Sequence, residues 1–162
     1  MPVNSLAITL RPERPEDSAF LLEVYSSARK EELDATGWPD VTRKVFLGMQ
    51  FNAQQQGYRA TFPLAEFNVI EVGGQAAGRM VVNRAEGEFR LVDLALLPAH
   101  RGQGVGTTLI QNLLRDGAAA GKPVRLSVIK GERAFRLYER LGFKKTGEDI
   151  LRIQMEWQCK PA

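Results

Sequence analysis

Six consecutive residues, Arg101-Gly102-Gln103-Gly104-Val105-Gly106, carry the most chemical information in this chain of 162 residues. An apolar run ending at Leu97-Pro98 precedes them and a helix-like run from Thr107 to Ala120 follows. Alternating glycines between a strand and a helix leave bare backbone N–H groups free to converge on one point. The helix N-terminus adds partial positive charge there, so the turn is built to hold a phosphate anion.

The spacing excludes two familiar phosphate binders. A Walker loop needs Lys then Ser/Thr after its last glycine, and Gly106 is followed by Thr107-Thr108. A dinucleotide fingerprint needs Gly-x-Gly-x-x-Gly, and the last position falls on Thr107 or Leu109. Charge supports an anionic ligand. Residues 98–145 hold ten Lys/Arg against three Asp/Glu, while the rest of the chain holds twelve against sixteen.

The elements that must position this turn follow from periodicity. Strands are expected at Leu6–Arg11, Phe67–Val72, Gln75–Asn83, Glu88–Leu97, Val124–Ile129, Phe143–Thr146 and Ile150–Trp157. Gly73-Gly74 reads as a hairpin turn. Helices are expected from Pro15 to about Lys30, over Val41–Gln56, over Thr107–Ala120 with Gly121 as its stop, and over Glu132–Leu141 with Gly142 as its stop. Glu31 to Asp40, acidic and holding Gly37 and Pro39, reads as a loop. The whole of 1–162 reads as one α/β domain of mixed α+β type, with no repeat or linker. The apolar stretches are too short to span a bilayer, and the N-terminus lacks a secretory pattern. One cysteine, Cys159, and one histidine, His100, exclude an internal disulfide and argue against a metal site. A cytoplasmic location is the expectation. His100, beside the turn, reads as a surface residue.

Arg101-x-x-Gly104-x-Gly106 resembles the pyrophosphate-binding signature of the GNAT superfamily of N-acetyltransferases, which follows the fourth strand and opens the next helix. A second block, Ala134-x-x-Leu137-Tyr138-x-x-Leu141-Gly142-Phe143, is similar to the helix that lines the pantetheine arm in that family. The blocks stand in the family's order, and the resemblance covers nearly the whole chain. One position departs: the family often has Asn where this chain has Gly131.

The resemblance implies a largely antiparallel sheet of about six to seven strands, with the fourth and fifth, Glu88–Leu97 and Val124–Ile129, splayed apart, and about four flanking helices. It implies acetyl-CoA as cosubstrate and no metal. Gly102, Gln103, Gly104, Val105, Gly106 and Thr107 would hold the pyrophosphate. Arg101 and Arg140, or Lys130 and Arg133, would neutralise the remaining charge. Leu94, Ala95, Leu96 and Ala134 would border the pantetheine arm, with the Leu96 N–H as candidate for polarising the acetyl carbonyl. Tyr138 matches the family's general acid; a phenol, with an ordinary pKa near about 10, can hydrogen-bond or protonate a leaving thiolate.

The base stays open among Glu31, Glu32, Asp34, Asp93 and a bound water, with Glu32 and Asp93 the leading choices. For the acceptor, Glu31, Glu32, Asp34 and Asp40 crowd a segment that should face it, with Trp38 and Tyr58 as aromatic walls. That charge favours a cationic primary amine on a small molecule or a peptide. With no cysteine near the motifs, direct attack in a ternary complex is expected. The rivals are a non-catalytic acyl-CoA-binding module and a nucleic-acid binder. No nucleic-acid motif accompanies the basic half, so neither nucleic acid nor membrane is an expected partner. A homodimer is compatible with the family.

Overall fold

A computed structural model describes residues 7–159. Seven strands form one sheet in the order β1-β2-β3-β4-β5-β7-β6. They are β1 (Ile8–Pro12), β2 (Glu66–Val72), β3 (Gln75–Arg84), β4 (Phe89–Leu96), β5 (Val124–Ile129), β6 (Lys144–Glu148) and β7 (Arg152–Trp157). Every neighbouring pair is antiparallel except β4 and β5. Five helices flank them: α1 (Ser18–Ala28), α2 (Lys30–Asp34), α3 (Asp40–Thr61), α4 (Val105–Ala120) and α5 (Ala134–Arg140). No helix among the described residues is long and apolar enough to cross a membrane.

Several element ends shift by one to three residues from the sequence expectation, and three differences have a clear local cause. The expected loop over Glu31–Asp40 opens with a short helix, α2, because Lys30 and Asp34 are one turn apart and pair at 2.8 Å. The helix expected over Val41–Gln56 starts at Asp40 and continues to Thr61, stopping where Pro63 disfavours helical geometry in the residue before it. The first strand runs through Pro12, which is tolerated because β1 is a sheet edge. Its expected first residue, Leu6, lies outside the described residues.

Successive strand residues point to opposite faces, and two neighbours on β2 show how the layers divide. Ile70 joins a large cluster with Leu109, Ile110, Leu113 and Leu114 of α4. Val69 joins a smaller one with Leu21 and Tyr25 of α1 and Phe51 of α3. The sheet is therefore sandwiched between α4 on one face and α1 with α3 on the other. Gly78 of β3 lets β4 approach closely: a Cβ there would stand 2.1 Å from the Ala95 carbonyl oxygen.

The feature that positions the site is the seam between β4 and β5. Their parallel pairing covers only Phe89–Leu91 against Val124–Leu126. Beyond it β4 stays bonded to β3 as far as Leu96, and β5 stays bonded to β7 as far as Ile129. A bulge at Val92, where Val81 faces Asp93 and Val82 faces Leu91, sharpens the local twist and turns the end of β4 away from β5. The Leu97 N–H bonds the Ala77 carbonyl of β3, so the backbone groups of Leu96 face the opened seam.

Candidate functional site

The opened seam is the floor of a cavity of about 220 Å³. β4 contributes Leu91 to Ala95, β5 contributes Leu126 to Ile129, and α5 contributes Ala134 and Tyr138. The other wall comes from α1 and α3, with Tyr25, Ala28, Arg29, Phe51 and Tyr58, and Glu32 of α2 at its edge. Arg79 of β3 and Arg152 of β7 also reach it. At this size the cavity falls below the ~300–1,000 Å³ of drug-sized sites, so it suits the reacting end of a longer molecule and a small partner.

At one end of the seam lies the glycine turn. Gly102 and Gly104 adopt left-handed φ values of +70° and +84°, and Gly104 is the residue before the first turn of α4. Added side chains at either would meet nothing within 4 Å, and one at Gly106 would meet only Leu94 Cδ2 at 3.9 Å. The backbone here is thus open to a ligand, and the first N–H groups of α4 have no intrahelical acceptor. Arg101 does not point outward to await charge. Its Nε donates to the Leu96 carbonyl at 2.9 Å and one terminal nitrogen to Ser27 Oγ at 3.2 Å, tying the end of β4 to α1. Arg133 and Arg140 are exposed and away from the cavity lining. Lys130 is paired with Glu148 at 2.5 Å. His100, expected on the surface, is half-buried in a short 3-10 turn.

Tyr138 is buried, with its ring edge-on to Phe143 at 5.7 Å. The α5 C-terminus fixes it: the Phe143 N–H returns to the Tyr138 carbonyl at 3.0 Å. Burial, followed by the charges of Asp93 and Glu132, pushes its phenol up to about 12.

Asp93 sits across the seam from α5, on the bulged part of β4. Its side chain is 22% exposed, and burial pushes its carboxyl up to about 6. The charge of Arg79 and a bond from the Leu94 N–H oppose that rise without overcoming it; the Arg79 terminal nitrogen is 3.9 Å from Asp93 while its Nε is held by Glu13 at 2.9 Å. The side chains of Arg79 and Glu13 are 3% and 5% exposed, a buried ion pair beneath the cavity. Burial raises the Glu13 carboxyl despite Arg79. It also raises the Tyr58 phenol, helped by the charge of Asp93.

The other candidates separate. Glu32 lies on the cavity edge, 69% exposed and 3.7 Å from Arg29. Glu31 is exposed and outside the lining. Asp34 is held between Lys30 at 2.8 Å and Arg43 at 2.6 Å, which lower its carboxyl. Trp38 packs edge-on to Phe46 at 5.3 Å and takes no part in the cavity. Four participants escaped the sequence reading: Glu13, Arg29, Arg79 and Arg152. Arg79 alone left a usable signal, an ionisable residue inside the apolar run Ala76-Ala77-Gly78-Arg79-Met80-Val81-Val82.

No curated protein matches the chain. Among solved structures it is similar to the PaiA N-acetyltransferase of Thermoplasma acidophilum in complex with coenzyme A, with a TM-score of 0.71 at 20% identity over 94% of this chain and 99% of that one. It is also similar to an acetyltransferase of Thermus thermophilus, at TM-score 0.70, 16% identity and coverage of 98% and 100%. The ribosomal-protein-S18-alanine N-acetyltransferase of Escherichia coli gives 0.63 at 20% identity, covering 96% of each chain. These likenesses concern the fold. The family model of the acetyltransferase (GNAT) domain matches residues 63–145, the segment that holds β3, β4, the glycine turn, β5 and α5. The chain therefore belongs to the GNAT acetyltransferase family.

Proposed function

We propose that this protein transfers an acetyl group from acetyl-CoA to a primary amine by direct attack, with both substrates bound together. The observation that carries this reading is the opened β4/β5 seam, with Asp93 on one wall and Tyr138 on the other.

The residues present fit acetyl-CoA. The glycine turn exposes backbone that any side chain would cover, and the first turn of α4 favours a pyrophosphate. The seam-facing edge of β4 offers backbone groups to an extended amide-bearing arm, as an added strand would use them. Its Leu96 carbonyl is held by Arg101, so pairing there requires that guanidinium to swing away, which also frees it to meet phosphate. Acetyl-CoA, when bound, supplies the activated acyl group.

The chain's own groups then divide the remaining work. Asp93, held at about 6, is mostly ionised at neutral pH and still basic enough to accept a proton from an ammonium, directly or through a water. Tyr138, held at about 12, stays protonated at neutral pH and donates a hydrogen bond to the departing sulfur. Glu32 at the cavity edge attracts the incoming amine. Asp34 and Trp38 leave the acceptor argument, the former because two cations already neutralise it.

The test is calorimetric titration with acetyl-CoA followed by thiol release over an amine panel. Binding with amine-dependent release supports the transferase. Binding without release on any amine supports an acyl-CoA-binding module instead. Ping-pong kinetics would exclude direct attack.

A further inference from the structure

Three guanidinium groups converge on the acceptor side of the cavity, and their donors outnumber the acceptors that the protein gives them. Arg29 stands at the end of α1 with its guanidinium 4.4 Å over the Tyr25 ring. Its Nε is buried and donates to no acceptor among the described residues, and its only ion pair there is the loose one with Glu32 at 3.7 Å. Arg79, 3% exposed, spends Nε on Glu13 and leaves one terminal nitrogen, Nη2, buried without a partner among the described residues. Arg152, at the start of β7, makes no ion pair among the described residues, and its charge is felt at the Tyr58 phenol.

Buried donors are nearly always satisfied, and an orphaned one is costly, a charged one most of all. Arg29 and Arg79 both line the cavity and each keeps one unsatisfied nitrogen, so a ligand that draws either guanidinium toward it supplies the missing acceptor. A planar carboxylate matches the guanidinium fork.

We propose that the acceptor is an amine that also bears a carboxylate, as a small amino acid does, with the carboxylate taken by Arg29, Arg79 and Arg152 and the amine directed to Asp93. This rests on the transferase reading and replaces its cationic acceptor by a zwitterionic one. The cavity volume of about 220 Å³ agrees with a small molecule, or with the tip of a peptide that presents both groups.

Matched pairs test it: L-α-amino acids against their carboxamides, with rates compared per unprotonated amine, together with calorimetry of the same pairs on the CoA-loaded protein. The carboxylate form is expected to show kcat/KM about tenfold or more above the carboxamide, chiefly through KM, the scale of one charged hydrogen bond. Arg152→Gln, its folding checked by melting temperature, should compress that ratio toward one. Carboxamides or diamines that serve equally well overturn the proposal, as does an aminoalkylphosphonate that binds more tightly than the carboxylate. Thiol release without carboxylate preference leaves the transferase standing and removes the site. Carboxylate-selective binding without thiol release on any amine does the reverse.

Discussion

Asp17 and Asp93 are the same residue type, each mostly buried beside an arginine, and their carboxyls move in opposite directions. Asp17, at the corner after β1, is held at about 2; Asp93, on the cavity floor, is pushed up to about 6. The difference lies in how completely the charge is met. Arg11 offers Asp17 a fork at 2.8 and 2.9 Å, and the Arg14 N–H adds a third bond at 2.7 Å. Those bonds outweigh the cost of burial. Arg79 stops 3.9 Å from Asp93 because Glu13 holds its Nε, so burial wins. One corner uses an aspartate to fasten the start of α1 to β1, and the other keeps an aspartate underserved and basic. A carboxylate destined for proton transfer needs the second arrangement.

Substitution should separate the two most sharply. Asp93→Asn is expected to lower kcat/KM about 10²–10⁴-fold, the usual worth of a general base, while leaving the fold at least as stable at neutral pH, because the raised carboxyl costs stability there. Full activity in that variant would remove Asp93 from the mechanism and return the role to Glu32 or water. Asp17→Asn should do the reverse. It loses charge-assisted bonds worth about 1.5–3 kcal/mol in total, read from the denaturant midpoint, with kcat/KM close to wild type.

The sequence made one side of this contrast legible and hid the other. The glycine turn and the Ala134–Phe143 block are local, because a turn that opens a helix and a helix that ends in Gly142 each write their geometry into neighbouring residues. The strands were readable for the same reason. Asp93 was a candidate through the family resemblance, which puts a carboxylate or its water on that central strand. The pair that sets its basicity was not readable. Glu13 and Arg79 stand 66 positions apart and meet only because β1, β2 and β3 are neighbours in the sheet. Asp34 misled for a complementary reason. An acid-rich segment looks like a binding edge, and only the fold shows that Lys30 and Arg43 have already claimed it.

Proton linkage gives the comparison opposite signs. The Asp93 carboxyl is raised above its unfolded value near 3.8, so the fold binds that proton more tightly. Its contribution to stability is full below about pH 4 and is lost as pH rises through about 6. The Asp17 carboxyl is lowered, so its contribution is full above about pH 4 and is lost as pH falls through about 2. Unfolding followed from about pH 7 down to pH 3 should therefore show Asp93→Asn gaining on wild type at the neutral end and Asp17→Asn losing least at the acid end. Parallel curves would mean that neither carboxyl is shifted as described. In kinetics, kcat/KM should fall about tenfold per pH unit below about 6 as Asp93 takes up its proton.

The smallest effect is the most discriminating. Glu13 raises the Asp93 carboxyl by its own charge and by occupying Arg79. Glu13→Gln removes the charge and keeps an oxygen for Arg79 Nε, so the guanidinium gains freedom to favour ionised Asp93. The acid limb of kcat/KM should move down by roughly half a pH unit to one, the scale of one nearby charge. The plateau above it should change little, since Glu13 lies behind Arg79 and away from the cavity lining. A limb that stays in place while the plateau falls would mean that Glu13 only holds β1 to β3. A limb that moves would show the buried pair tuning the base, and would explain why a central strand carries an arginine that an apolar side chain would pack at lower cost.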